Sequence, residues 1–199
     1  MGCCISVGAN SLTLTRCLVP IQLRTNVGMH TVLRMPQSAT NLVKNTKTKF
    51  KMITLYTIGF TKKNARKFFG LLKNAGVKKL IDIRINNASQ LAGFAKGSDL
   101  EFFMEAICGA GYEHITDLAP TKELLKDYQD KVIDWSGYTV VFNNMLKTRK
   151  IAERYNVQDF DQCCFLCTED TPEKCHRRLV VEYLKSQNPD KDVRIIHLH

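Results

Sequence analysis

Between Ile53 and Leu198 the chain alternates two hydrophobic periods, and that alternation constrains the fold more than any other feature. "ITLYTIG" (53–59) is β-branched and aromatic and closes on a glycine, the composition of a strand. Behind it Phe68, Leu71, Leu72 and Ala75 recur at helical spacing, with Asn64 placed to cap the helix and Gly76 to end it. "VKKLIDIR" (77–84) returns to strand character, and a polar loop with Gly93 and Gly97 follows. Ser98 is then expected to cap "DLEFFMEAICGAG", with Glu101 completing a capping box. "YEHIT" (112–116) reads as a short third strand, Thr121 caps "KELLKDYQDKVI", and a further helical pattern runs from Tyr138 to Tyr155. "QCCFLCT" (162–168) is a fourth strand, the segment from Pro172 to Gln187 is helical, and "VRIIHL" (193–198) is a final strand. Strand and helix in alternation imply an α/β three-layer sandwich with a mainly parallel sheet, Rossmann-like or flavodoxin-like. Right-handed crossovers put helices on both faces of such a sheet, and its ligands bind at the carboxyl ends of the strands.

That rule selects the residues to weigh: Gly59, Phe60 and Thr61 after the first strand, Asp82 and Arg84 at the end of the second, His114 and Asp117 around the third, and Thr168, Glu169 and the following turn after the fourth. Before this domain, which is expected over 52–199, residues 1–51 contain no Asp or Glu. Their arginines and lysines carry +7 of the chain's net charge of +10, which leaves +3 on the rest. A nucleic-acid footprint on the domain would therefore be a local patch rather than a global field. The leader is expected to be unstructured. It opens "MGCCIS", the Met-Gly-x-x-x-Ser pattern of N-myristoylation, with Cys3 and Cys4 as acceptors for a second acyl chain beside Gly2. An acid-free leader also resembles an organelle transit peptide. No apolar run approaches the roughly 20 residues that span a bilayer. Eight cysteines without a regular framework suit free thiols in a reducing compartment, and the cytoplasm is the expected location.

The stretch 163–180 concentrates four of those cysteines with His176, Arg177 and Arg178. A zinc site would use Cys164, Cys167, Cys175 and His176, spaced C-x2-C-x7-C-H. In an extended strand, positions three apart point to opposite faces, so Cys164 and Cys167 are expected to diverge; the adjacent pair Cys175 and His176 is expected to diverge too. No metal and no cofactor is expected. A second reading makes Cys175 a thiol activated by a helix N-terminus and two arginines, with His176 or His114 as base. A third reading is anion binding: Arg84, His176 and Arg177 neutralise the anion, Gly59 and Thr61 frame it, and Glu169 or Asp82 serves as acid or base. Its rival is an internal network in which Asp82 or Glu169 holds Arg84 or Arg177, because buried charges need such partners regardless of function. Phe60 and Phe94 can stack on a base or simply anchor loops.

The motifs "YTIGFT", "IDIR", "LAPTKELL" and above all "LCTEDTPEKCHRRLVVEYL" resemble those of the domain of unknown function 488 family over about 52–198. The resemblance implies a small intracellular α/β protein and leaves the activity open. Many members carry a Pro and a second Arg in the loop after the second strand. Here that loop has Asn86, Asn87, Ala88 and Gln90, with Ser89 and Lys96 retained, so a ligand contact from a loop arginine is not expected. On these grounds the expected ligand is a phosphorylated or otherwise anionic small molecule, such as a nucleotide. The alternatives are a nucleic-acid-associated module in repair or defence, and a thiol-dependent hydrolase or transferase.

Overall fold

The computed structural model describes residues 51–88 and 93–199. The acid-free leader with Gly2, Cys3 and Cys4, and Ser89 and Gln90 of the loop, lie outside the described residues.

Five strands form one sheet: β1 (Ile53–Gly59), β2 (Lys79–Asp82), β3 (Gly111–His114), β4 (Cys163–Cys167) and β5 (Val193–Leu198). Their order is β3-β2-β4-β1-β5, and every pairing is parallel. Among the described residues, six α-helices connect them: α1 (Ala65–Asn74), α2 (Gly97–Phe103), α3 (Lys122–Gln129), α4 (Trp135–Thr148), α5 (Ile151–Arg154) and α6 (His176–Ser186). Phe68, Leu72 and Leu100 from α1 and α2 pack with Ile58, Leu80, Cys164 and Leu166 on one face of the sheet. Leu124, Phe142, Leu146, Leu179 and Leu184 from α3, α4 and α6 pack with Leu55, Ile81, Cys163 and Phe165 on the other. The three-layer α/β sandwich is therefore the observed architecture.

Right-handed crossovers account for that division. The chain leaves β1 for β2 and β2 for β3 toward one edge, over the face of α1 and α2. It leaves β3 for β4 and β4 for β5 toward the other edge, over the opposite face. The connections from β2 and β4, which are neighbours, thus lead away from each other. Such a reversal opens a crevice at the carboxyl ends of two strands, the place where sheets of this kind bind ligands.

Several ends differ from the sequence expectation. Helix α2 starts at Gly97 behind Lys96, and the Ser98 hydroxyl lies inside the helix and donates to Asp99. The Gly97 amide donates a hydrogen bond to the Asn87 carbonyl (2.8 Å), which holds the start of the helix, and a Cβ there would meet the Asn87 side chain at 2.4 Å. The next turn, Met104–Cys108, widens to a π-helix and closes on Gly109 in the left-handed region. The pattern expected as one helix from Tyr138 to Tyr155 begins at Trp135 under an Asp134 cap and breaks at Lys150, whose φ is 54°. Arg149 anchors that break by donating to the carbonyls of Asp117 and Ala119, both at 2.6 Å. Helix α6 begins at His176, later than Pro172, with Cys175 as an extended N-cap residue. The Asn64 and Thr121 caps are present as expected; their side chains accept from the amides of Lys67 and Leu124. No helix among the described residues is long and apolar enough to cross a membrane.

Candidate active site at the carboxyl ends of β2 and β4

Parallel register sets the site. Gly59 of β1 lies opposite Cys167 of β4, and Asp82 of β2 lies opposite Leu166 of β4 and His114 of β3. Four strand ends are therefore level, and the loop 168–175 rises from β4.

That loop is held from three sides. Arg177, almost fully buried in the first turn of α6, donates through Nη1 to the Glu169 carbonyl (2.5 Å) and through Nη2 to the Asp170 carbonyl (3.0 Å). Its Nε is buried without a partner among the described residues. The Thr61 amide and hydroxyl donate to the Thr168 carbonyl at 3.2 and 2.6 Å. Lys63 is buried and pairs with Asp170 at 2.6 Å. Gly59 is required by close approach: a Cβ there would lie 1.6 Å from the Glu169 carbonyl oxygen. The structure thus puts Gly59, Thr61 and Arg177 on the backbone of the loop, where they shape it.

Arg84 and Asp82 are likewise engaged with each other. Asp82 is fully buried and accepts from the Arg84 amide (3.1 Å), Nε (2.8 Å) and Nη2 (2.6 Å), and from the Tyr112 hydroxyl (2.9 Å). Arg84 Nη2 also reaches the Ala95 carbonyl at 2.9 Å, and the guanidinium lies over the Phe60 ring. Burial, then the Asp82 charge, pushes the Tyr112 hydroxyl up to about 12. His114 donates from Nε2 to the Arg84 carbonyl (2.7 Å) and accepts at Nδ1 from Asn87 (3.2 Å). Arg84 is thus paired bidentately with Asp82, the arrangement of the internal network weighed against anion binding, while it also lines the adjoining cleft. Asp82 does not line the adjoining cleft, which argues against it as an acid or base there.

The cleft encloses about 200 Å³ between the end of β2, the end of β4 and α3. Ile85, Pro120 and Leu125 give it apolar walls, Asn86 and Gln129 polar ones, and exposed Glu169 lies at its edge. Cys167 and His176 form its floor. The His176 Nδ1 is 3.4 Å from Cys167 Sγ, and its Nε2 is 3.0 Å from the Ile83 carbonyl. A carbonyl only accepts, so Nε2 carries the hydrogen and the Nδ1 lone pair faces the sulfur.

The two thiols at this point differ. Burial opposes ionisation of Cys167, but the Cys175 thiol, the Glu169 and Thr168 amides and the Arg177 charge outweigh it and hold Cys167 below the ordinary thiol value. Burial, reinforced by Cys167, pushes Cys175 well above it. Cys167 therefore joins Cys175 and His176 as a candidate site residue. Its signal was legible as a cysteine ending a central strand at the edge where ligands bind. Cys164 is fully buried on the opposite face of the sheet, as strand alternation requires, and burial raises it strongly. The expected divergence of Cys175 and His176 does not hold. The polypeptide turns from extended to helical between them (Cys175 φ −135°, ψ 136°), and both side chains converge on Cys167.

No curated protein and no solved structure matches the chain. The family model of the domain of unknown function DUF488 matches residues 64–184, the span that carries β2 to β4, the cleft and nearly all of α6, and the chain belongs to that family.

Proposed function

We propose that the cleft is a thiol-dependent catalytic site, a hydrolase or transferase acting on a small molecule with an electrophilic acyl carbon. Cys167 is its nucleophile and His176 its base. The observation that carries this reading is the Cys167–His176 pair, 3.4 Å apart on the floor of the cleft, with the imidazole fixed by the Ile83 carbonyl at 3.0 Å. A nucleophile, a base within reach and a third group that orients the base are the parts that covalent catalysis needs. As Sγ bonds to the acyl carbon, the thiol proton passes to His176 Nδ1. The leaving group departs with that proton as its bond to carbon breaks. Water or an acceptor then gives a proton to His176 and attacks the thioester, releasing the acyl product and restoring the thiol. A positioned base contributes about 10²–10⁴-fold to such a step.

The walls favour a neutral or weakly polar substrate over the phosphorylated one expected from the sequence. Arg84 is already neutralised by Asp82, and Glu169 adds negative charge at the edge. The test is alkylation of the reduced, metal-free full chain with substoichiometric iodoacetamide, mapped by peptide mass. Cys167 labels before Cys108, Cys163, Cys164 and Cys175, and His176→Gln slows it about tenfold or more. Labelling of Cys167 no faster than Cys164, or a rate indifferent to His176, overturns the proposal. Hydrolysis of a small activated thioester, lost in Cys167→Ser, is the accompanying activity.

A further inference from the structure

We infer that Cys167, Cys175 and His176 form a binding site for a soft d10 cation, with Zn²⁺ as the best-fitting ion, and that filling it blocks the thiol. The three donor atoms are buried and lie within 4.8 Å of one another. They come from three differently oriented pieces of backbone: the end of β4, the extended N-cap of α6, and its first helical residue. Zn–S and Zn–N bonds of about 2.3 and 2.05 Å at a tetrahedral angle put sulfur and nitrogen about 3.6 Å apart and two sulfurs about 3.8 Å apart. The Cys167–His176 separation of 3.4 Å is already close to such an edge, and closing the rest needs a shift of about an ångström at most.

The surroundings suit a metal as well as the donors do. A ligating histidine donates its other ring N–H to a carbonyl or carboxylate, which fixes the tautomer; His176 does this to the Ile83 carbonyl at 3.0 Å. Two thiolates and one divalent ion make a neutral unit, so the ion relieves the cost of burying sulfur charge here. Soft sulfur donors select Zn²⁺ over Mg²⁺ or Ca²⁺. Three protein ligands leave a fourth position, and Cys167 and His176 both line the cleft, so water or a cleft-bound molecule completes the set. Cys164 is not the fourth ligand, because it packs on the far side of the sheet. Binding itself is independent of the catalytic reading; the block on the thiol rests on it.

The test is titration of the reduced full chain with Co²⁺ alone, under anaerobic conditions. One equivalent produces a thiolate-to-cobalt charge-transfer band and tetrahedral visible bands, and Zn²⁺ abolishes both. Cys175→Ser and His176→Gln weaken binding at least about tenfold, while Cys164→Ala binds as the parent does. X-ray absorption of the Zn²⁺-loaded parent chain finds two sulfur ligands and one imidazole, and needs no variant to fold. Absence of the charge-transfer band, a different ligand set, or loss of binding in folded Cys164→Ala overturns the inference. Zn²⁺ also protects Cys167 from iodoacetamide and a chelator restores labelling. Rapid labelling without cobalt binding sinks only the metal site. Cobalt binding with an inert Cys167 in the metal-free chain sinks only the thiol reading.

Discussion

Replacing Asp82 by Asn keeps the shape of a fully buried side chain and removes its charge. In the parent the carboxylate accepts four hydrogen bonds, three from Arg84 and one from Tyr112. With Asn at 82, one oxygen remains for the Arg84 amide and Nε. The new NH2 faces Nη2 donor to donor, the Tyr112 hydroxyl must turn from donor to acceptor, and the buried guanidinium loses its counter-charge. Removing one partner of a buried ion pair costs about 3–5 kcal/mol, a large part of the roughly 5–15 kcal/mol that holds a domain together. For a domain of this size that is a fall in melting temperature of roughly 6–20 °C. Equilibrium urea unfolding followed by circular dichroism reads the change. Arg84→Met is expected to cost a similar amount, and the double variant less than the sum by about 0.5–3 kcal/mol, because it strands neither charge. Folded Asp82→Asn retains the Cys167 alkylation rate, since Asp82 lies outside the cleft. A loss under 1 kcal/mol combined with slowed alkylation would refute the structural assignment of this pair and return Asp82 to the chemistry.

Two other outcomes are expected. Gly59→Ala drives a methyl group to 1.6 Å from the Glu169 carbonyl oxygen and must displace the loop that Arg177 holds. Overpacking and a strained charged hydrogen bond together cost about 3 kcal/mol or more in urea unfolding, and a change below 1 kcal/mol would contradict the packing. Tyr112 holds its proton up to about 12 in the fold, whereas the unfolded chain releases it near 10. Above the unfolded value the native state binds more protons, so this contribution to stability is complete below pH 10 and is lost as pH rises toward 12. Unfolding curves taken across that window fall more steeply for the parent than for Tyr112→Phe; parallel curves would show that the hydroxyl does not carry the effect.

Local pattern made much of the fold legible in advance. Strands β1 to β5 and the caps at Asn64 and Thr121 lie within a residue or two of the positions read from periodicity and cap chemistry. Side-chain direction repeats every two residues in a strand and every 3.6 in a helix, and that repetition is a property of consecutive residues alone. The strand-end rule selected Gly59, Asp82, Arg84, Glu169 and the turn that follows it. The Ser98 cap failed because Asn87, eleven residues before it, holds Gly97 at the helix start.

Taken alone, the sequence determined the class of fold and the mainly parallel sheet, because alternating apolar periods leave a chain few other ways to bury its surface. Only the tertiary structure decided the strand order, with β4 between β2 and β1, and therefore where the crevice opens. It also decided that Arg84 closes on Asp82, and that Cys175 and His176 lie beside Cys167. Those outcomes depend on loop dihedrals and on contacts between residues far apart in the chain. Gly59 leaves room for the Glu169 carbonyl and Arg177 holds it, in a loop that brings Cys175 and His176 beside Cys167, and no spacing within that segment encodes such a path.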